Sequence, residues 1–202
     1  MTFKVLTLPF FSDGGGGNGG DDPFQGPVMI KKGDITQWFV DGSSDAIVNP
    51  ANVTMLGGYG ADEAIHNAAG PKLKEACYKV PVIRSWIRCP VGEARISPGF
   101  NLLASSVIHT VGPYYDLKSN PKASLRNAYK NSLSLAKENN IQYIAFPAIS
   151  CGFRGYPYEE AATVALSTVK EFANGFKEVH FVLFLDDAYN VWLNKAKELF
   201  DT

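Results

Sequence analysis

From Val28 onward, short apolar runs alternate with segments of helical periodicity, and this alternation constrains the fold more than any other feature of the 202 residues. Residues 28–32, 45–48, 93–97, 107–111, 143–146 and 179–185 read as strands. Several are almost unbroken apolar runs, the pattern of strands buried on both faces. Asn120-Pro121 opens a helix, along which Leu125, Ala128, Ser132, Leu135 and Ala136 recur at helical spacing. A second helix spans about 158–172, and a last one near 187–200 buries Val191, Trp192, Ala196, Leu199 and Phe200. Residues 61–69 form a short helix closed by Gly70-Pro71. Strands alternating with helices imply a largely parallel sheet covered on both faces, with ligands at the carboxyl ends of the strands.

The segment before Val28 behaves differently. Residues 12–27 carry glycines at 14 to 17, 19 and 20, bury almost nothing and read as a flexible loop. Phe3, Val5, Leu6 and Leu8 form either an edge strand or a weakly packed tail. The expected organisation is an N-terminal segment, 1–27, followed by one domain, 28–202. With 46% hydrophobic and 19% charged residues there is a sizeable core and no room for a second full domain.

Charge and cysteine usage narrow the partners. Nineteen Lys and Arg against 20 Asp and Glu leave no basic stripe for long nucleic acids. A small anion needs no such excess, because Gly-rich loops and helix N-termini hold phosphate through backbone N–H groups. Cys77, Cys89 and Cys151 are separated and odd in number, which fits reduced thiols, and no Cys/His spacing resembles a zinc site. No metal and no cofactor is expected. Without a bilayer-length apolar run, and with an N-terminus unlike a signal peptide, a soluble cytoplasmic or nuclear monomer that avoids membranes is expected.

Four polar segments follow strands and therefore gather on one edge: Gly33-Asp34-Ile35-Thr36, Asn49-Pro50-Ala51-Asn52, the stretch from Gly57 to Asp62, and the stretch from Ser150 to Pro157. Two of them run from glycines into a helix start, the makings of a diphosphate cradle. Asp34 is placed to accept from an exocyclic amino group, while Asn52 and Asp62 suit ribose hydroxyls and the orientation of a water. Plainer readings stand beside these, since Asp34 also suits a turn cap and Asn49 and Asn52 suit pinning of the backbone. His66, His109 and His180 read as hydrogen-bonded structural histidines, and Trp38, Trp86 and Trp192 as packing aromatics. Cys151 and Arg154 stand too close for a thiol-phosphatase loop, and the phrase around Ser150 is not a serine-hydrolase elbow.

The ordered set GDIT at Gly33, AIVNPAN ending at Asn52, MLGGYGADEAIHNAAGP from Met55, CPVGEARISPGFNL from Cys89, VIHTVGP from Val107 and AFPAISCGFRGYP from Ala145 resembles the macrodomain family, and within it the MacroD-type branch in plant-like wording. The resemblance implies a three-layer α/β/α sandwich around a mixed, largely parallel sheet of six or seven strands. It also implies binding of ADP-ribose and of mono-ADP-ribosylated protein, with hydrolysis of ADP-ribosyl esters or, alternatively, reading without turnover. By that resemblance Asp34, with Ile35 beside it, holds adenine, Asn52 contacts the distal ribose, and Asp62 takes part in hydrolysis alongside Asn52. Gly57, Gly58, Tyr59 and Gly60, together with Ser150, Cys151, Gly152, Phe153, Arg154, Gly155 and Tyr156, wrap the diphosphate and distal ribose. Leu185 stands where many relatives place an aromatic, so adenine is expected on aliphatic surface.

Departures from the family pattern bear on turnover. Tyr59 interrupts a glycine run and either stacks on the distal ribose or blocks it. Glu63 brings a second negative charge beside Asp62, expected to raise its pKa or weaken binding. Arg154 either pairs with a phosphate or points into solvent. A pocket closed by Tyr59 and Glu63 would leave only a scaffold.

Overall fold

A computed structural model describes residues 5–8 and 26–200. Seven strands form one sheet: β1 (Val5–Leu8), β2 (Val28–Lys32), β3 (Asp45–Pro50), β4 (Ala94–Pro98), β5 (Ser106–Thr110), β6 (Tyr143–Phe146) and β7 (Glu178–Leu183). Their spatial order is β1-β2-β7-β6-β3-β5-β4. The inner strands β2, β7, β6, β3 and β5 run parallel, and only the edges β1 and β4 are antiparallel to their neighbours. β1 is thus an edge strand, in register from Val5 opposite Lys31 to Leu8 opposite Val28. The glycines at 14 to 20 lie outside the described residues.

Five helices cover the sheet: α1 (Ala61–Ala69), α2 (Pro71–Tyr78), α3 (Pro121–Glu138), α4 (Tyr158–Phe172) and α5 (Asp186–Phe200). Side chains of successive strand residues point to opposite faces, and β3 follows this rule. Ala46 and Val48 pack into the core that holds Leu125, Leu166 and Trp192 of α3, α4 and α5. Ile47 packs instead with Ile65 and Leu73 of α1 and α2. Two apolar cores on one sheet make the three-layer sandwich. All five parallel strands end on one edge, where the loops after β2, β3, β5, β6 and β7 converge.

Several strand ends move by one or two residues, and two differences from expectation bear on the site. Gly70-Pro71 closes α1 but also opens α2: Gly70, at φ 81°, is the last cap of one helix and the first of the next, and Pro71 occupies the opening position where its missing N–H costs nothing. β7 ends at Leu183, not at residue 185, so Phe184 and Leu185 leave the sheet and are exposed. Elsewhere local rules operate as expected. The Asn120 side chain accepts from Ala123 N at 3.3 Å with Pro121 next to it, opening α3.

Candidate functional site

The converging loops enclose a cleft with two joined compartments of about 650 and 910 Å³ that share Pro50, Tyr59, Phe153 and Arg154 in their walls. The cleft is open, so Tyr59 and Glu63 do not close it. The smaller compartment begins at Gly33, Asp34 and Ile35. Asp34 caps a single 3₁₀ turn (Ile35–Gln37), its Oδ1 accepting from Thr36 N at 2.9 Å and Thr36 Oγ1 at 2.8 Å. The capping and the ligand readings of this residue are compatible, because Oδ2 takes no part in the cap. Leu185 lines the same compartment, and so does Phe184, 73% exposed. An exposed aromatic therefore stands beside the aliphatic surface expected there. The strand reading that ran through 185 hid it inside the sheet.

The floor is made by the N-terminus of α1 and the loop after β6. Gly60 caps α1 without a side-chain hydrogen bond, and Gly60 and Ala61 at the helix start line the compartment, where a helix N-terminus offers unpaired N–H groups. Ser150, Cys151, Gly152, Phe153 and Arg154 line this compartment, whereas Gly155 and Tyr156 do not; Tyr156 is buried and its ring packs on Tyr115. The left-handed residues of this loop are Ser150, at φ 66°, and Gly155, at φ 75°, and Gly152 is not one of them. Cys151 is no nucleophile, since burial pushes its thiol up to about 12. Arg154 is half-buried and lines both compartments: its Nη1 donates to Gly112 O at 2.5 Å, a bond that uses one of its five N–H donors, and its guanidinium stacks 4.7 Å from the Tyr114 ring centre.

Asp62 stands in the larger compartment, 3% exposed. Its Oδ1 accepts from Asn49 Nδ2 at 2.8 Å, and His66 Nε2, one helical turn on, lies 3.4 Å from the same oxygen without hydrogen-bond geometry. Burial pushes the Asp62 carboxyl above the usual carboxylate range, against the Asn49 hydrogen bond and the charges of His66 and Arg154. Glu63 is not among the causes; burial does what its charge was expected to do. Asn52 lines the compartment, and its amide is partly committed: Nδ2 donates to Gly57 O at 3.0 Å, and Oδ1 accepts from Thr54 N and Oγ1 at 3.1 and 2.7 Å. One amide hydrogen remains.

Two residues read as structural belong to this site. Asn49 bridges Asp62 to His109, with Nδ2 3.1 Å from His109 Nδ1. His66 lines the cleft instead of sitting among apolar neighbours. Its four-residue spacing from Asp62 on a helix was the available signal. Ligand atoms of His66, Cys77 and His109 also lie within 4.8 Å of one another, a proximity that sequence spacing does not reveal. The hydrogen bonds argue against a metal there. With Nδ1 accepting from Asn49, the His109 proton sits on Nε2, 2.9 Å from Ser97 Oγ, and burial pushes the Cys77 thiol up to about 11. His109 itself is held neutral by burial, down to about 3.

A mostly parallel α/β/α sandwich with an open cleft at the strand ends, and a buried carboxyl in the wall of its larger compartment, has the form of a small-molecule binding or hydrolytic module. More particularly, the chain belongs to the Macro domain family, whose model matches residues 48–165. It is 46% identical over 161 residues to the O-acetyl-ADP-ribose deacetylase of Escherichia fergusonii, covering 78% of this chain and 88% of that protein. It is 45% identical over 179 residues to the ADP-ribose glycohydrolase MACROD2 of Xenopus laevis, covering 86% of this chain but 40% of the relative. The solved macrodomain of Oceanobacillus iheyensis with ADP superposes with a TM-score of 0.84 at 33% identity, covering 100% of this chain and 99% of that one.

Proposed function

We propose that this chain binds ADP-ribose and hydrolyses ADP-ribosyl esters in the manner of the MacroD-type branch. The observation that carries this is the position of Asp62, a buried carboxyl in the wall of the larger compartment, which joins a nucleotide-sized one. In this reading Asp34 Oδ2 accepts from the adenine amino group, and the ring lies against Ile35, Leu185 and Phe184. The N-terminus of α1 and the backbone of 150–154 hold the diphosphate, with the Arg154 guanidinium in the wall shared by both compartments. The distal ribose reaches Asn52 and Asp62. A carboxyl pushed up by burial is suited to taking a proton from an attacking water near neutral pH. Asn49 fixes its orientation, and His66, kept neutral mainly by burial, stands close enough to pass the proton on. The names of the deacetylase and the glycohydrolase among its relatives support the choice of an ester or glycosyl linkage to ADP-ribose as substrate. Removal of mono-ADP-ribose from Asp or Glu side chains, deacetylation of O-acetyl-ADP-ribose and cleavage of ADP-ribose 1''-phosphate all belong to this class.

Binding without turnover is the second reading, and Tyr59, 81% exposed at the junction of both compartments, favours it. Calorimetry with ADP-ribose, then assay of mono-ADP-ribosylated protein with wild type and Asp62→Ala, tests both. The expected result is binding by both proteins and release of ADP-ribose by the wild type alone. Binding with no release by either leaves a reader, and no binding overturns the assignment.

A further inference from the structure

We infer that the larger compartment is a subsite for the polypeptide that carries the modification, and that Lys74 selects substrates with a carboxylate beside the modified residue. The inference rests on the ADP-ribose reading of the cleft. A distal ribose at Asp62 would fill only a fraction of the roughly 910 Å³ there, and an acetyl group on that ribose adds little. The remaining space runs along Asn67, the Gly70-Pro71 junction and Lys74, away from the nucleotide compartment, which none of these residues line. Exposed aromatic rings line the same chamber, Tyr59 at 81% and Tyr114 at 56% exposure. Exposed rings together with polar side chains in an open chamber suit an extended peptide better than a small acyl group.

Charge gives the chamber its selectivity. Its two cations differ: the Arg154 guanidinium also lines the nucleotide compartment and is anchored on Gly112 O and Tyr114, whereas exposed Lys74 lines only the larger compartment and makes no ion pair or side-chain hydrogen bond among the described residues. Lys74 lines the chamber wall together with His66, whose neutral form is favoured first by burial and then by the Lys74 charge. Glu63 also lines the chamber, exposed and unpaired among the described residues, at the start of α1. It repels a carboxylate from that side, so an acidic neighbour is welcomed toward α2 only.

Binding, not turnover, isolates the effect. Calorimetry at low salt would compare ADP-ribose with two ADP-ribosyl peptides joined by a hydrolysis-resistant linkage, one flanked by Asp and one by Lys. Wild type is expected to bind the Asp-flanked peptide about fivefold more tightly, the upper range for an exposed pair, with the preference shrinking at high salt. Lys74→Ala removes the preference, Lys74→Glu reverses it, and neither changes the affinity for ADP-ribose. Equal affinities in the wild type, a preference that survives Lys74→Ala, or weaker ADP-ribose binding by Lys74→Ala would each overturn the subsite. Failure of the wild type to bind ADP-ribose itself would instead bring down the reading of the cleft on which it rests.

Discussion

Asp34 divides its two oxygens between structure and ligand, and that division is testable. Oδ1 holds the turn through Thr36, while Oδ2 is left for an incoming amino group. Asp34→Asn retains a capping oxygen but turns the other position into a donor facing a donor. It should therefore weaken ADP-ribose by about 1.5 to 3 kcal/mol, nearly as much as Asp34→Ala, the range for a hydrogen bond to a charged group. Calorimetry checks it, and an Asn variant with native affinity would mean that the residue only caps. Tyr59 poses the opposite question, because the residue is 81% exposed at the junction of the two compartments. Folded over the distal ribose, it would exclude water and order free ADP-ribose while hindering an ester attached to a protein. Tyr59→Gly is expected to cleave modified protein about tenfold faster, some 1.4 kcal/mol of barrier. Equal rates for the two proteins would reject gating by this residue.

At the scale of elements, the site is set by how closely two loops approach, not by a run of glycines. A Cβ on Gly112, in the loop after β5, would lie 2.2 Å from Ser150 Oγ and 2.6 Å from Ile149 Cγ2. Gly112→Ala must push the loop after β6 out of place and strain the Arg154 contact. Gly152 has open space around its Cβ position and no left-handed φ. Gly152→Ala should therefore bind ADP-ribose like the wild type, Gly152→Glu should lose binding by placing an anion in the diphosphate cradle, and Gly112→Ala should lose both affinity and thermal stability. Melting curves with and without ADP-ribose would check the series; a Gly112→Ala protein with native affinity would refute the close approach as its determinant. This contrast marks what the chain reveals unfolded. Strand and helix positions were legible because apolar periodicity is local, and Asn120-Pro121 announced α3 for the same reason. The α1–α2 junction was not, because one glycine serves two helices. The Asn49–Asp62–His109 network was not, because it joins β3, α1 and β5 across the sheet face, and Phe184 surfaced only when β7 ended two residues early.

That network ties a helix to the sheet, so the pH dependence of the whole molecule's stability should carry its signature, with two opposing signs. His109 is held down to about 3 from an ordinary 6.5 by complete burial. Between those values the unfolded chain takes up a proton that the folded one refuses. Its contribution to stability is thus complete above about 6.5 and drains away as pH falls toward about 3, on the order of a few kcal/mol. Asp62 works the other way. Its folded pKa is raised from 3.8 by burial, so the stability it contributes is present below 3.8 and is lost as pH rises through the folded value. The proposed hydrolysis accordingly asks the protein to hold an ionised carboxylate in an unfavourable place at neutral pH. Asp62→Asn keeps an acceptor for Asn49 and removes the ionisation, so it should be inactive and more stable than the wild type at pH 7. Below pH 4 the two stabilities should converge, while both proteins retain the acid sensitivity that His109 imposes. Urea unfolding across pH 3 to 8 measures both curves. A gap between them that does not change with pH would show that Asp62 carries no charge penalty in the folded state, and that its role in taking a proton from water must be assigned to another group.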